Sequence, residues 1–232
     1  MTIRLNQNNP AFNWAKFIAA VDQIHGVGQQ LPRYRDFVMV HVHAMSTVGM
    51  NWNVHSMTMP NGMTMQGTNF LAWHRWLLVR FERRLQLVDP TVSIPYWNAV
   101  TDPNIPVAMA DKNLLKRWGV TRQWKPGNLP GPTSLSELNN LNSFDQFQSL
   151  IESDYHNSVH RAVGGDMVTA GSPNDPLFWL HHAMIDKTWA AWQAQPPASN
   201  PANITTTLKP SPLFGVKVKD VLNTTTLGYK YQ

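Results

Sequence analysis

Residues Ser143 to Val163 read SFDQFQSLIESDYHNSVHRAV. The stretch reads as one helix. Ser143 suits the N-cap, because its side chain can accept from the first free amides. Gly164-Gly165 stops it. Within it His156 and His160 lie four residues apart, so both imidazoles leave the same helix face. Alone, such a pair is weak evidence of a ligand pair, since a single histidine on an apolar face is more often a hydrogen-bonded core residue.

Working outward, three more helices carry histidines. One runs from about Pro32 to Met45, with Phe37, Val40, His41 and Ala44 at three- and four-residue steps. A second runs from about Asn69 to Val88 and carries His74; Phe70, Trp73, Leu77 and Phe81 mark its apolar face, and Asp89-Pro90 ends it. The last runs from about Asp175 to Ala194, carries His181 and His182, and stops at Pro196-Pro197. A short helix is expected near Asn13 to Gln23. The stretch from Pro95 to Asn142 is rich in Pro, Gly and Asn and reads mostly as loop. In the tail, Thr224 to Thr226 and Tyr229 to Tyr231 read as short extended pieces. The expected fold is therefore mainly α: a four-helix core wrapped by long irregular loops with a few short strands, as one domain over residues 1–232.

Nine histidines among few carboxylates narrow the chemistry. Four antiparallel helices can gather His41, His74, His156, His160 and His182 in one interior, where bundles commonly build metal sites. Imidazole suits zinc, copper, iron and nickel. No HExxH motif is present, which disfavours a zinc metalloprotease. No Glu-x-x-His is present either, which disfavours a di-iron bundle. An all-histidine interior suits copper, which also changes oxidation state.

Composition excludes other classes. The net charge of +5 is modest and scattered, apart from Arg80, Arg83 and Arg84 around Glu82, so nucleic acid is not an expected partner. There is no cysteine, hence no disulfide and no thiolate site. No apolar run approaches the ~20 residues that cross a bilayer. Met1 to Phe12 lacks the pattern of a signal peptide, which makes the cytoplasm the default location unless a leader was trimmed.

Several stretches resemble the tyrosinase family of type 3 dicopper proteins. Tyr155 to His160, Val163 to Met167 and Ser172 to His182 look like its second-copper region, as does the run from Ile185-Asp186-Lys187 to Trp192-Gln193. Phe70 to Leu78 with Phe81-Glu82 looks like the first-copper helix. Ile94 to Asn98 is similar to the segment after it, where Asp often replaces Asn98. Tyr34 to His41 resembles the segment of the first ligand. Tyr229-Lys230-Tyr231 resembles the closing tyrosine motif, with Arg4 at the place of the arginine packed against it.

The resemblance implies two copper ions and dioxygen as co-substrate. It implies ortho-hydroxylation of monophenols and oxidation of o-diphenols to o-quinones, on small phenols of the tyrosine or catechol type; melanin formation is a common role of relatives. It places His156, His160 and His182 on the second copper, with His181 a neighbour, and His41 and His74 on the first. The third ligand of the first copper falls at Met65 in the family register. Three readings stand open: His55 behind a hairpin from Met57 to Met65 turning at Asn61-Gly62, His43, or Met65 itself. Met57, Met59, Met63 and Met65 read as a flexible apolar flap, or as a route for copper brought by a delivery partner. Glu152 and Asn157 fall where the family holds a water that helps deprotonate the phenol. Arg161 would face the entrance and influence acidic substrates, and Thr169 falls where some relatives place a bulky gate residue. No C-terminal lid domain is expected. The alternatives are a catechol or o-aminophenol oxidase that does not hydroxylate, and a hemocyanin-like oxygen-binding protein. Oligomeric state is not legible.

Overall fold

The protein is described by a computed structural model covering residues 1–26, 32–58, 61–196 and 198–232. Met59 of the methionine series and Pro197 of the last helix stop lie outside the described residues.

Strand β1 (Thr2–Arg4) opens the chain. Helix α1 (Trp14–His25) is capped by Asn13, whose Oδ1 accepts from Lys16 N at 3.0 Å. It buries Phe17, Ala20, Val21 and Ile24 at helical spacing. Helix α2 (Tyr34–Ala44) buries Tyr34, Phe37, Val40, His41 and Ala44, so His41 lies on the core face by the same period that packs its neighbours. The hairpin β2 (Met57–Thr58) and β3 (Thr64–Met65) pairs Met57 with Met65. Helix α3 (Phe70–Gln86) is buried nearly all round, as a central helix must be.

The connection after α3 is more ordered than its composition suggests. Helix α4 (Lys112–Trp118) forms within it. Asp111 Oδ1 accepts from Asn113 N and Leu114 N at 2.7 and 2.9 Å, and Gly119 ends the helix at φ 67°. Arg122, in turn, clamps buried Asp175 with two hydrogen bonds of 2.5 and 2.6 Å, tying this wrap to the start of α7.

The expected 143–163 helix is continuous but not uniform. It comprises α5 (Phe144–Ile151), one π-helical turn (Glu152–His156) and α6 (Asn157–Val163). Such turns widen a helix locally and recur at functional sites. Gly164 and Gly165 end it with φ of 64° and 57°, a conformation that side chains with a Cβ disfavour. Helix α7 (Leu177–Gln193) follows, then the short α8 (Thr224–Leu227) and β4 (Tyr229–Tyr231). Thr224 to Thr226 is thus helical rather than extended: Asn223 Oδ1 accepts from Thr226 N at 3.0 Å, and this cap overrides the β-branched preference.

Helices α3 and α7 make the most extensive contact. Phe81 and Trp179 stack across it with centroids 3.7 Å apart. Below lies a buried charge network. Arg4 donates to Glu82 at 3.1 Å and to Asp186 at 3.2 Å, and Arg75 Nε donates to Asp186. Tyr229 and Tyr231 hydroxyls donate to the same Asp186 carboxylate at 2.6 and 2.5 Å. Two guanidinium and two carboxylate charges balance, the condition for burying them without a large penalty. The network binds β1, α3, α7 and β4 together, with β1 parallel to β4. The four-helix core with few short strands matches the expectation. Among the described residues no helix is long and apolar enough to cross a membrane.

Candidate metal centre

Five histidines reach the interior from helices: His41 from α2, His74 from α3, His156 from the π-helical turn, His160 from α6 and His182 from α7. A sixth, His55, arrives from the irregular segment before β2 and is 8% exposed. That segment is held by Glu152. The carboxylate accepts from Ser56 N at 2.9 Å and from Ser56 Oγ at 2.7 Å, and its Oε1 lies 3.5 Å from His55 Nδ1. Gly67 closes over the same place: a Cβ there would sit 2.5 Å from the carbonyl carbon of His55.

Ligand atoms of His41, His55 and His74 lie within 4.8 Å of one another, and so do those of His156, His160, His181 and His182. The two groups adjoin. His74 and His182 stack with centroids 4.3 Å apart, and Nε2 of His160 is 3.4 Å from Nε2 of His182. Phe70 and Phe178 wall the groups, with ring centroids 4.8 Å from His74 and 4.1 Å from His182.

The hydrogen bonds set the ring tautomers. His41 Nδ1 donates to Ala170 O at 2.7 Å, His74 Nδ1 to Phe70 O at 2.8 Å, and His160 Nδ1 to Met167 O. Asn157 Oδ1 accepts from His156 Nδ1 at 3.0 Å. A carbonyl oxygen only accepts, so each Nδ1 carries the hydrogen and each Nε2 keeps its lone pair. Nε2 of His41, His55, His74 and His156 is buried without a hydrogen-bond partner among the described residues. Buried polar atoms are rarely left this way, and cations are the natural partners of converging lone pairs. Protonation is also opposed. Burial first, then the neighbouring histidines, push His41, His74, His156 and His182 well below the usual histidine range, and burial takes His160 to about 4. Neutral imidazoles are what a metal requires. The donor set therefore fits two soft-to-borderline metal ions.

The other expected residues sort by position. His43 is exposed and stands outside both groups, and Met65 is 39% exposed on the hairpin. His181 is fully buried, and its ring–ring contacts among the described residues are with Tyr155 and the second group. A cavity of about 410 Å³ opens on the histidines; Glu152, Asn157, Arg161 and Thr169 line it. Arg161 donates to Ser158 Oγ at 2.9 Å. Thr169 is exposed, and its hydroxyl is turned back to Asp166 O at 2.8 Å. Ser56, Gly67 and Val168 belong to this setting and were not expected; only Gly67, a glycine just before the α3 start, leaves a signal in the sequence.

The pattern of the common central domain of tyrosinase matches residues 32–134 and 119–195. The tyrosinase of Streptomyces antibioticus is 31% identical over 245 residues, covering 86% of this chain and 85% of the relative. The chain belongs to the tyrosinase family. Among solved structures, polyphenol oxidase from Thermothelomyces thermophila is similar in fold, with a TM-score of 0.67 at 19% identity, covering 100% of this chain and 89% of that one. An octopus hemocyanin functional unit also has a TM-score of 0.67, at 22% identity, covering 68% of that chain. These two likenesses speak for the fold alone. Family membership makes the protein a type 3 copper phenol oxidase with a two-copper cofactor, and the tyrosinase relatives do not favour the oxygen-carrier alternative.

Proposed function

We propose that His41, His55 and His74 hold one copper, that His156, His160 and His182 hold the other, and that the enzyme both hydroxylates monophenols and oxidises o-diphenols. The supporting observation is the set of buried Nε2 atoms that lack partners and converge beneath an open cavity. His55 is preferred over His43 because its ligand atoms group with those of His41 and His74, and over Met65 because it is buried and lines the cavity while Met65 is exposed and does not. His182 is preferred over His181 because, of the two, it also stacks on His74 of the first group, with centroids 4.3 Å apart.

Two copper ions held by these histidines would supply the redox chemistry that activates dioxygen toward a phenol. The chain does the rest. Phe70 and Phe178 keep water from the base of the site. Nδ1–H bonds to Ala170, Phe70 and Met167 hold the rings at fixed angles. A phenol must lose its hydroxyl proton. Glu152 lines the cavity with its carboxylate, and an Oε of Glu152, aided by Asn157 Oδ1, is the acceptor in this reading. Arg161 at the mouth favours substrates with an acidic group, and the small Thr169 leaves the mouth open. One hydrophobic core runs through the described residues, in keeping with a single catalytic domain. The o-quinones so formed would couple into melanin-type polymers. Copper would be brought by a delivery partner, with the methionine hairpin beside His55 as its landing place.

Oxygen uptake with tyramine and with 4-methylcatechol tests the reading. Turnover of both is expected, and Glu152→Gln should slow tyramine at least tenfold more than the catechol. Catechol turnover without any tyramine turnover would instead favour the oxidase that does not hydroxylate.

A further inference from the structure

Away from the copper groups, His25 lies between two aromatic rings. It stacks on Tyr34 with centroids 4.0 Å apart, and it runs parallel to Trp118 at 5.8 Å with 3° between the planes. Tyr34 in turn accepts from Trp179 Nε1 at 3.0 Å, with ring centroids 6.3 Å apart. Trp179 adjoins Phe178, whose ring lies 4.1 Å from His182 and 5.2 Å from His41. A continuous series of rings thus runs from both histidine groups to Trp118 at the end of α4. The steps of phenol oxidation make no use of it.

The far end of the series has a base. Trp118 Nε1 donates to Asp22 Oδ1 at 2.7 Å, and the Asp22 side chain is 37% exposed. In a chain without cysteine, tryptophan and tyrosine are the side chains that most readily give up one electron. An indole that has lost an electron is a strong acid, so a carboxylate on its N–H makes the loss easier. Trp73, Trp97 and Trp192 give their N–H to backbone carbonyls, and Tyr34 gives its hydroxyl to Pro173 O. Such a carbonyl accepts a hydrogen bond but takes no proton at neutral pH. Tyr229 and Tyr231 do face a carboxylate, but Arg75 and Arg4 keep Asp186 ionised. Among the described residues no ring contact joins those two tyrosines to the histidines. Asp22 also pairs with Arg117 at 2.9 Å, but at the surface, where such a pair is weak and water can carry a proton on.

We propose that Trp179, Tyr34, His25 and Trp118 form a relay that drains oxidising equivalents from the copper pair when no phenol is bound. The oxidant, dioxygen or peroxide being reduced at the copper pair, gains one electron. Trp118 supplies that electron through the ring series and passes its Nε1 proton to Asp22. A catechol or ascorbate in solution then returns one electron to Trp118, and the proton comes back from Asp22. Met45, which lines the cavity, and the ligand histidines are thereby spared oxidation. This rests on the phenol-oxidase reading and adds a protective function to it.

The test mixes the copper-loaded enzyme with hydrogen peroxide in the absence of phenol, freezes it at set times and reads electron paramagnetic resonance. A radical is expected whose lines narrow when tryptophan is deuterated on the indole. Trp118→Phe should lower its yield about fivefold and Asp22→Asn about threefold. Both variants should lose activity to peroxide about threefold faster, with initial 4-methylcatechol rates within about twofold of wild type. Trp118→Tyr should replace the indole signal by a tyrosyl one, a change that a merely structural role would not produce. Mass spectrometry after long exposure should find oxidation at Trp118 in wild type and at Met45 and the ligand histidines in Trp118→Phe. An unchanged radical yield in Trp118→Phe would overturn the inference, as would a radical carried by Trp97 or Trp124, or equal inactivation of variant and wild type. If wild type oxidises no 4-methylcatechol, the phenol-oxidase reading fails and the relay with it; if it does and the radical is indifferent to Trp118, only the relay fails.

Discussion

Replacing His55 by alanine removes one of three imidazoles from the first group and leaves the second intact. Structural metal sites bind with about 10–16 kcal/mol over four ligands, so one ligand carries roughly 3–4 kcal/mol, or about 100- to 1,000-fold in affinity. The fold should tolerate the change. Glu152 keeps both hydrogen bonds to Ser56, and the lost ring leaves a modest cavity costing about 1–3 kcal/mol. Met65→Ala is the matched control, since Met65 is 39% exposed and does not line the cavity over the histidines. Copper per chain would be measured after dialysis against graded chelator, with thermal melting of the copper-free proteins as a check on folding. Wild type and Met65→Ala should hold two ions and His55→Ala one, with the second ion's affinity within about threefold of wild type. If His55→Ala keeps both ions at wild-type affinity, or Met65→Ala loses one, the assignment of the third ligand is wrong.

Other outcomes follow from the same geometry. Asp186→Asn leaves Arg4 and Arg75 buried against Glu82 alone and should cost about 3–5 kcal/mol in urea unfolding. Burial raises the Asp186 carboxyl, but Arg75 and Arg4 outweigh it and the net shift is downward. Its contribution is thus present above the unfolded carboxylate range and lost as pH falls below it, and the variant's stability should be flatter there. Burial, opposed in part by Asp22, lowers His25 from 6.5 to about 4. The unfolded chain then binds the extra proton between those values, so stability should rise with pH from about 4 to 6.5 and level off above. Discounted for the partial exposure of the ring, the gain is about 1–2 kcal/mol, and His25→Gln should lessen the slope by that amount in melts across the window, leaving the part that comes from the buried site histidines. Gly67→Ala should displace the His55 backbone, costing about 1–3 kcal/mol in melting and weakening one copper but not the other in chelator titration.

The parts legible in the sequence are those whose position follows from a local period. His41 shares its face with Phe37 and Ala44, and His156 with His160, so helical spacing alone aims them inward. The link from His55 to the site is of another kind. Its neighbour Ser56 is held by Glu152 from 96 residues away, and no local pattern encodes a hydrogen bond of that reach. That is why the sequence favoured His55 yet left His43 and Met65 open beside it. The same contact changes the picture of Glu152: besides lining the cavity, it anchors the segment that carries His55. In the tail, threonine propensity pointed to a strand where Asn223 and Gly228 cap a helical turn. In the long connection, proline and glycine content concealed α4, whose order comes from a cap at Asp111 and a clamp at Asp175.

The parallel pairing of β1 with β4 has a use in protein engineering. Thr2 lies opposite Tyr229 and Arg4 opposite Tyr231, so the two ends of the described chain sit on neighbouring strands, offset by the length of one strand. At about 3.3 Å per residue that offset is on the order of 10–13 Å. A flexible linker of roughly six residues would bridge it. The chain could then be circularly permuted, with new ends opened at the exposed Asn61-Gly62 turn. Such a permutant would place a fusion partner beside the copper cavity while the Arg4–Asp186–Tyr231 clasp became an internal, covalently continuous joint.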